Sequence, residues 1–108
     1  MDTAIPYIDK IVSLIVSLAS PSQIVLFGSY ARGAGTAKSD IDLLIIKKGL
    51  KNEREVNNML YKAFFENRIS VPVDIISVDY DKYMGLNDKT GYIYKTIKEH
   101  GKVIYGTL

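Results

Sequence analysis

The chain of 108 residues contains no cysteine and a single histidine, and these absences exclude several kinds of site. Without cysteine there can be no disulfide framework, no thiolate nucleophile and no zinc site built on sulfur. One histidine cannot form a cluster of histidine ligands. Any metal ion that the chain binds must therefore be held by oxygen ligands.

The sequence also lacks long apolar runs and a strong net charge. No stretch has the apolar length that spans a bilayer, and the first residues lack the basic region and apolar core of a secretion signal, so we predict a cytoplasmic protein. The net charge is +2 and the pI is near 8.8. Clustered lysine and arginine that would neutralise a phosphate backbone are missing, which argues against nucleic acid as the main partner.

The composition is that of one folded domain covering residues 1–108. Hydrophobic residues make up 47% of the chain and charged residues 24%, which is ordinary for a globular protein. A chain of this length can build one core, but it is small for an enzyme that must enclose a nucleotide and a second substrate. We therefore expect another chain to complete the substrate site.

Apolar periodicity predicts helices and strands in the order helix, strand, short turn, strand, helix, strand, helix. This order indicates an α+β domain of two layers, with a small mixed sheet and helices mainly on one face. The first helix is expected over 5–19 with Asp2 or Thr3 as its cap. The remaining predicted elements are strands at about Gln23–Phe27, Asp40–Lys47 and Val71–Val78, helices from Leu50 or Lys51 to Asn67 and from Tyr92 to His100 with Gly101 as C-cap, and a short final strand or tail at Val103–Tyr105.

The stretch with the most chemical content begins where the first predicted strand ends, at Gly28-Ser29. A glycine lets the backbone approach a ligand closely, and a helical turn beginning at Ser29 would point free N–H groups at an anion. Ten residues further on, the next strand opens with Asp40-Ile41-Asp42. The first half of this stretch suits a phosphate group.

The second half suits a metal ion. Residues i and i+2 of a strand face the same way, so Asp40 and Asp42 place two carboxylates about 6 to 7 Å apart at the backbone. Such a pair repels unless a cation lies between its members, and a hard cation such as Mg²⁺ fits carboxylate oxygens. Each motif alone is common as a plain turn or strand start. Both together, in this order and each joined to a buried strand, favour a functional site.

Three residues near these motifs have two readings each. Arg32 would neutralise a triphosphate or would pair with a nearby acid, and Lys38 would do the same or would be a solvated charge. Ser39 would orient Asp40 or would cap the entry to the strand. The sequence leaves these alternatives open.

Asp74 interrupts the apolar run of the third predicted strand. A charged residue on a half-buried strand costs free energy unless it is paired or bound to a metal. Asp74 is therefore either a third acid of the same site or one half of a salt bridge to a lysine or arginine.

The motif of Gly28-Ser29 followed by Asp40-Ile41-Asp42 resembles the signature of the DNA polymerase beta-like nucleotidyltransferase superfamily. The fuller strings Gly28–Gly33 and Ser39–Leu43 resemble its smallest members, the minimal nucleotidyltransferases. The resemblance implies the nucleotidyltransferase fold and Mg²⁺-dependent transfer of a nucleoside monophosphate, AMP from ATP, to a hydroxyl group. It also implies site residues: Asp40, Asp42 and Asp74 as catalytic metal ligands, and Gly28, Ser29, Arg32 and Ser39 as nucleotide-binding residues.

The resemblance further implies a partner. Minimal nucleotidyltransferases often occur with a small helical protein of the HEPN type, and some act as antitoxins by adenylylating a tyrosine of that protein. The alternative is a non-catalytic module that binds a nucleotide or neutralises its partner by contact alone. A phosphohydrolase with Asp40 as nucleophile is disfavoured, because Leu44 stands where its motif requires threonine or valine.

Overall fold

A four-stranded mixed sheet lies at the centre of the molecule. The computed structural model describes residues 5–36 and 38–108. In chain order, its elements are α1 (Ile8–Ala19), β1 (Gln23–Phe27), β2 (Ile41–Lys47), α2 (Glu53–Glu66), β3 (Val73–Asp79), α3 (Tyr80–Leu86), α4 (Ile93–His100) and β4 (Lys102–Gly106).

The strand order across the sheet is β3-β2-β1-β4. β1 pairs antiparallel with both β2 and β4, whereas β2 and β3 are parallel. The parallel pair requires a long crossover, and α2 supplies it. The register places Asp42 opposite Phe27 on one side and opposite Asp74 on the other. One end of the sheet therefore gathers the end of β1 with the beginnings of β2 and β3.

The sheet is covered on both faces. α1 and α2 pack on one face over the larger apolar cluster, which includes Ile11, Ile15, Ile24, Leu26, Leu43, Ile45, Leu60 and Phe64. α3 and α4 pack on the other face over a smaller cluster of Val25, Leu44, Ile46, Val78, Tyr83, Tyr94 and Ile97. Because β1 and β2 are buried on both faces, they read as continuous apolar runs rather than alternating ones.

The α+β class and the small mixed sheet are confirmed, and the structure adds a layer to the predicted two. The two longer helices lie on one face, as expected, but the shorter α3 and α4 cover the other. The prediction lacked α3 because Tyr80–Leu86 is only seven residues long and contains two charged residues and a glycine. Asp79 nevertheless starts this helix, since its side chain accepts the N–H groups of Asp81 and Lys82.

The first helix begins later than predicted. It starts at Ile8, and Tyr7 occupies the N-cap position with a positive φ of 63° and no side-chain cap hydrogen bond. The predicted caps, Asp2 and Thr3, lie outside the described residues. The Tyr7 hydroxyl and the Ser70 hydroxyl are 2.8 Å apart, so a tertiary contact fixes this end of the helix.

The outer edge of β3 is fastened to α2. The N–H of Ile75 donates to the hydroxyl of Tyr61 at 2.8 Å, which satisfies a backbone group that an edge strand would otherwise leave open. This bond lies one residue from Asp74. Among the described residues, no helix is both long enough and apolar enough to cross a membrane.

Candidate metal and nucleotide site

Three aspartates meet at the end of the sheet where β2 and β3 begin. Asp42 and Asp74 are direct partners in the parallel ladder, and Asp40 immediately precedes β2. One carboxylate oxygen from each of Asp40, Asp42 and Asp74 lies within 4.8 Å of the others. The convergence that the sequence predicted is present, and the roles of the three acids as ligands stay a prediction.

The salt-bridge alternative for Asp74 is not what the structure shows. Among the ion pairs formed by the described residues none includes Asp74; the pair that is present joins Lys82 and Glu53 at 3.6 Å on the exposed surface. Asp74 instead faces two other acids. Ile75 beside it is held by Tyr61, so this part of β3 is anchored.

The electrostatics of the cluster favour a bound cation. Burial raises the pKa of the Asp42 carboxyl, and the negative charges of Asp74 and Asp40 raise it further, whereas Arg32 opposes these effects. Burial also raises the pKa of Asp74, with Asp40 adding to the rise. Ionising carboxylates in each other's company is unfavourable, and a divalent cation between them removes the penalty. The donor set is entirely oxygen, and it therefore fits Mg²⁺.

Gly28 lies directly against the cluster. Its φ is +75°, a conformation that side chains rarely adopt, and a Cβ atom added there would collide with Oδ2 of Asp42. Glycine is required here for both reasons. The sequence identified Gly28 for its approach to phosphate, whereas the structure shows that it also makes room for an acid.

The residues after Gly28 form one tight turn. The N–H of Arg32 donates to the carbonyls of Gly28 and Ser29, and the N–H of Ala34 donates to Ser29. Ser29 is half-buried in this turn, and Arg32 is exposed. The predicted helical turn is therefore present, and the charge of Arg32 acts on Asp42. Binding of a nucleotide by Gly28, Ser29 and Arg32 stays a prediction.

Ser39 lies in the turn that leads into β2, and its role in binding a nucleotide stays a prediction. Its hydroxyl accepts the N–H of Thr36 at 2.9 Å, and its own N–H donates to the Thr36 carbonyl at 3.0 Å. Ser39 thus closes a small turn just before Asp40. The exposed Lys38 donates its backbone N–H to the Thr36 hydroxyl in the same turn.

Sequence reasoning missed Tyr30. Its hydroxyl donates to the Thr36 carbonyl at 2.7 Å and so spans the loop between the glycine turn and the acids. A tyrosine within a short polar stretch gives no periodic signal, so the sequence did not predict this contact.

The chain belongs to the nucleotidyltransferase domain family, whose model, described as "Nucleotidyltransferase domain", matches residues 8–104. The family that the two motifs indicated is thereby confirmed.

A short part of the chain is similar to a named protein. Over 31 residues, the chain is 58% identical to a Methanocaldococcus jannaschii protein named "Putative protein adenylyltransferase". The matched stretch is 29% of this chain and only 21% of that protein.

Two solved structures share the fold. A toxin-antitoxin complex with AMP-PNP is 25% identical, with a TM-score of 0.61 over 92% of this chain and 73% of the other. A mutant of the toxin-antitoxin MntA-HpeT is 19% identical, with a TM-score of 0.64 over 92% of this chain and 72% of the other.

Proposed function

We propose that this chain transfers AMP from ATP to a hydroxyl group of a partner protein. The observation that carries the proposal is the convergence of Asp40, Asp42 and Asp74 beside the Gly28 turn. A pair of acids alone would suit many structural roles. Three acids that form no salt bridge with any described residue, next to a phosphate-sized turn, suit a metal-bound nucleotide. The adenylyltransferase name of one relative and the AMP-PNP of one structural neighbour support ATP as the donor.

The reaction that fits is an in-line displacement at the α-phosphorus. The acceptor oxygen forms a bond to this phosphorus, the bond to the β-phosphate oxygen breaks, and pyrophosphate leaves. The exposed carboxylate of Asp74 is the proposed acceptor of the hydroxyl proton. Divalent ions held by the three aspartates would neutralise the phosphates and lower the pKa of the attacking hydroxyl.

The chain's own groups have separate tasks in this scheme. We assign contact with the phosphates to the backbone at Gly28 and the hydroxyl of Ser29, and Arg32 would add positive charge. Ser39 is also a proposed nucleotide contact. Because its hydroxyl accepts the N–H of Thr36 within the loop, Ser39 would contact the nucleotide through its backbone.

The acceptor is the tyrosine of a small helical partner of the HEPN type, with the chain in an antitoxin role in the cytoplasm. This part of the proposal comes from the motif resemblance, and the toxin-antitoxin neighbours support it. The acid cluster also favours a large acceptor, because Asp40 and Asp74 are exposed at the sheet end rather than enclosed in a cavity. A partner protein would cover the side of the site that is open to solvent.

The test is incubation of the purified chain, a HEPN-type partner and Mg²⁺ with ATP labelled in the α-phosphate. We expect label on a partner tyrosine, and none when the label is in the γ-phosphate, since pyrophosphate leaves. Asp42→Asn should abolish labelling, whereas Asp88→Asn changes an exposed acid away from the cluster and should preserve it.

Two outcomes would reject the proposal. Label from the γ-phosphate would indicate phosphoryl transfer instead. A tight complex with the partner and no label from either ATP would favour the alternative, a module that binds a nucleotide or neutralises its partner without chemistry.

A further inference from the structure

The loop from Ser29 to Asp40 is braced by Tyr30. The Tyr30 ring packs against the larger apolar cluster at one end. Its hydroxyl donates to the Thr36 carbonyl at 2.7 Å at the other end. The side chain therefore connects the core of the domain to the far side of its own loop.

Gly35 makes this contact possible. A Cβ atom at Gly35 would collide with the Tyr30 ring at Cδ1, Cε1 and Cγ. The ring thus lies close against Gly35, and no side chain fits between them. Unlike Gly28, Gly35 does not have a positive φ, so the close approach of the ring is the reason that glycine stands here.

The contact continues toward the acid cluster through Thr36 and Ser39. The Thr36 carbonyl accepts both the Tyr30 hydroxyl and the Ser39 N–H, and the Thr36 N–H donates to the Ser39 hydroxyl. Ser39 is joined to Asp40 by a peptide bond. Among the three acids, Asp40 alone precedes its strand, so the ladder of the sheet does not hold it as it holds Asp42 and Asp74.

We propose that Tyr30 is a positioning residue for the transfer reaction. Its side chain fixes Asp40 in the metal site by holding Thr36 and Ser39. This inference rests on the proposed function for its reaction. The hydroxyl of Tyr30 is bonded to the Thr36 carbonyl and not to one of the acids. Its effect is on the probability that the third carboxylate is in place when a cation arrives.

Tyr30→Phe separates this role from simple packing, because phenylalanine keeps the ring on Gly35 and the core and removes the hydroxyl alone. We expect its affinity for Mn²⁺ to fall about 3- to 10-fold, because that is the range that the net free energy of one hydrogen bond gives. The affinity is measured without nucleotide, from the electron paramagnetic resonance spectrum of free Mn²⁺. In transfer assays, the Mn²⁺ concentration for half-maximal rate should rise by the same factor, with kcat restored at saturating Mn²⁺. The KM for ATP at saturating Mn²⁺ should change little.

The matched control is Tyr7→Phe. It removes a tyrosine hydroxyl bond of nearly the same length, to Ser70, outside the loop. Its Mn²⁺ affinity should equal that of the unmodified chain. A merely structural role of Tyr30 predicts that both variants lose stability and that neither changes the Mn²⁺ dependence.

A second pair of variants tests the ring. Gly35→Ala should displace Tyr30 and reduce Mn²⁺ affinity at least as much as Tyr30→Phe does. Gly85→Ala, within α3, meets no atom within 4 Å and serves as its control. Melting temperatures of all four variants identify any that fail to fold.

The outcomes are distinct. Unchanged Mn²⁺ affinity in both Tyr30→Phe and Gly35→Ala would overturn the inference. Reduced Mn²⁺ affinity in both, in a chain that transfers no AMP to any protein, would support the positioning role while rejecting the proposed reaction.

Discussion

Asp74 and Asp79 stand near the two ends of the same strand, β3, and their surroundings are opposite. Asp79 accepts the backbone N–H of Leu50 through one oxygen and those of Asp81 and Lys82 through the other. Asp74 faces Asp40 and Asp42 at the other end of the strand. One carboxylate is surrounded by donors and the other by further acids.

The difference separates a structural acid from a candidate metal ligand. Asp79 fastens the loop before α2 to the start of α3, and its charge is satisfied within the chain. Asp74 and its neighbours carry charge that the described part of the chain compensates only in part, through Arg32 near Asp42. A cluster of this kind is stabilised when a cation from outside completes it.

The largest expected effect comes from replacing each of these two acids in a separate variant. Asp74→Asn should reduce AMP transfer by about 100- to 1,000-fold, the scale for losing one preorganised charged group, and should leave the free energy of unfolding equal or higher. Asp79→Ala should retain transfer and lose about 1 to 2 kcal/mol of stability, because a helix cap is removed. Transfer rates and urea unfolding of both variants measure the contrast.

Two results for Asp74→Asn would contradict this contrast. If Asp74→Asn proves as unstable as Asp79→Ala, Asp74 has a structural role that its contacts do not reveal. Full transfer activity of Asp74→Asn would remove it from the site altogether.

A smaller effect is expected from divalent cations on stability. A ligand that binds only the folded state at 100 times its Kd adds about 2.7 kcal/mol to the free energy of unfolding. Mg²⁺ should therefore stabilise the unmodified chain and Asp79→Ala, but not Asp42→Asn, which lacks one of the three proposed ligands. Urea unfolding with and without Mg²⁺ provides the measurement, and equal stabilisation of Asp42→Asn would place the cation elsewhere.

The smallest effect concerns pH. Because the pKa values of Asp42 and Asp74 are raised, the folded state binds their protons more tightly than the unfolded state does. This contribution to stability is fully present below the unfolded-state pKa, about 4, and is lost as the pH rises through the folded-state values. The loss should be small, since both side chains are partly solvated.

Unfolding free energies from pH 4 to pH 8 in a chelator would show the decline. Asp42→Asn should flatten it, and Mg²⁺ should oppose it. A decline of the same size in Asp42→Asn as in the unmodified chain would assign it to other groups.

Much of this site could be predicted from local sequence. The i and i+2 spacing of Asp40 and Asp42 predicted that they meet, although β2 begins at Ile41 and Asp40 lies just before it. The predicted bounds of β1 agree with the structure. Asp74 could be proposed because an acid in an apolar strand needs a reason. These inferences depend on short-range geometry, which sequence patterns carry.

What the sequence could not reveal depends on contacts across loops and layers. Tyr30 meets Thr36 through a side chain that no periodicity describes, and Ser39 turns back to Thr36 rather than toward Asp40. α3 was missed because its first turn depends on a cap, Asp79, within an acidic stretch. Tyr7 at the N-cap of α1, with its left-handed backbone, likewise has no cap signal in the sequence.

The crossover through α2 has a practical consequence. Asp42 and Asp74 become neighbours only after the whole segment from β2 to β3 has folded, so no hairpin or short peptide can reproduce their arrangement. The smallest unit that could be grafted onto another scaffold is β1 with its turn, β2, α2 and β3. A chain still emerging during synthesis would lack the pair until β3 is complete, which ties readiness for chemistry to the completion of folding.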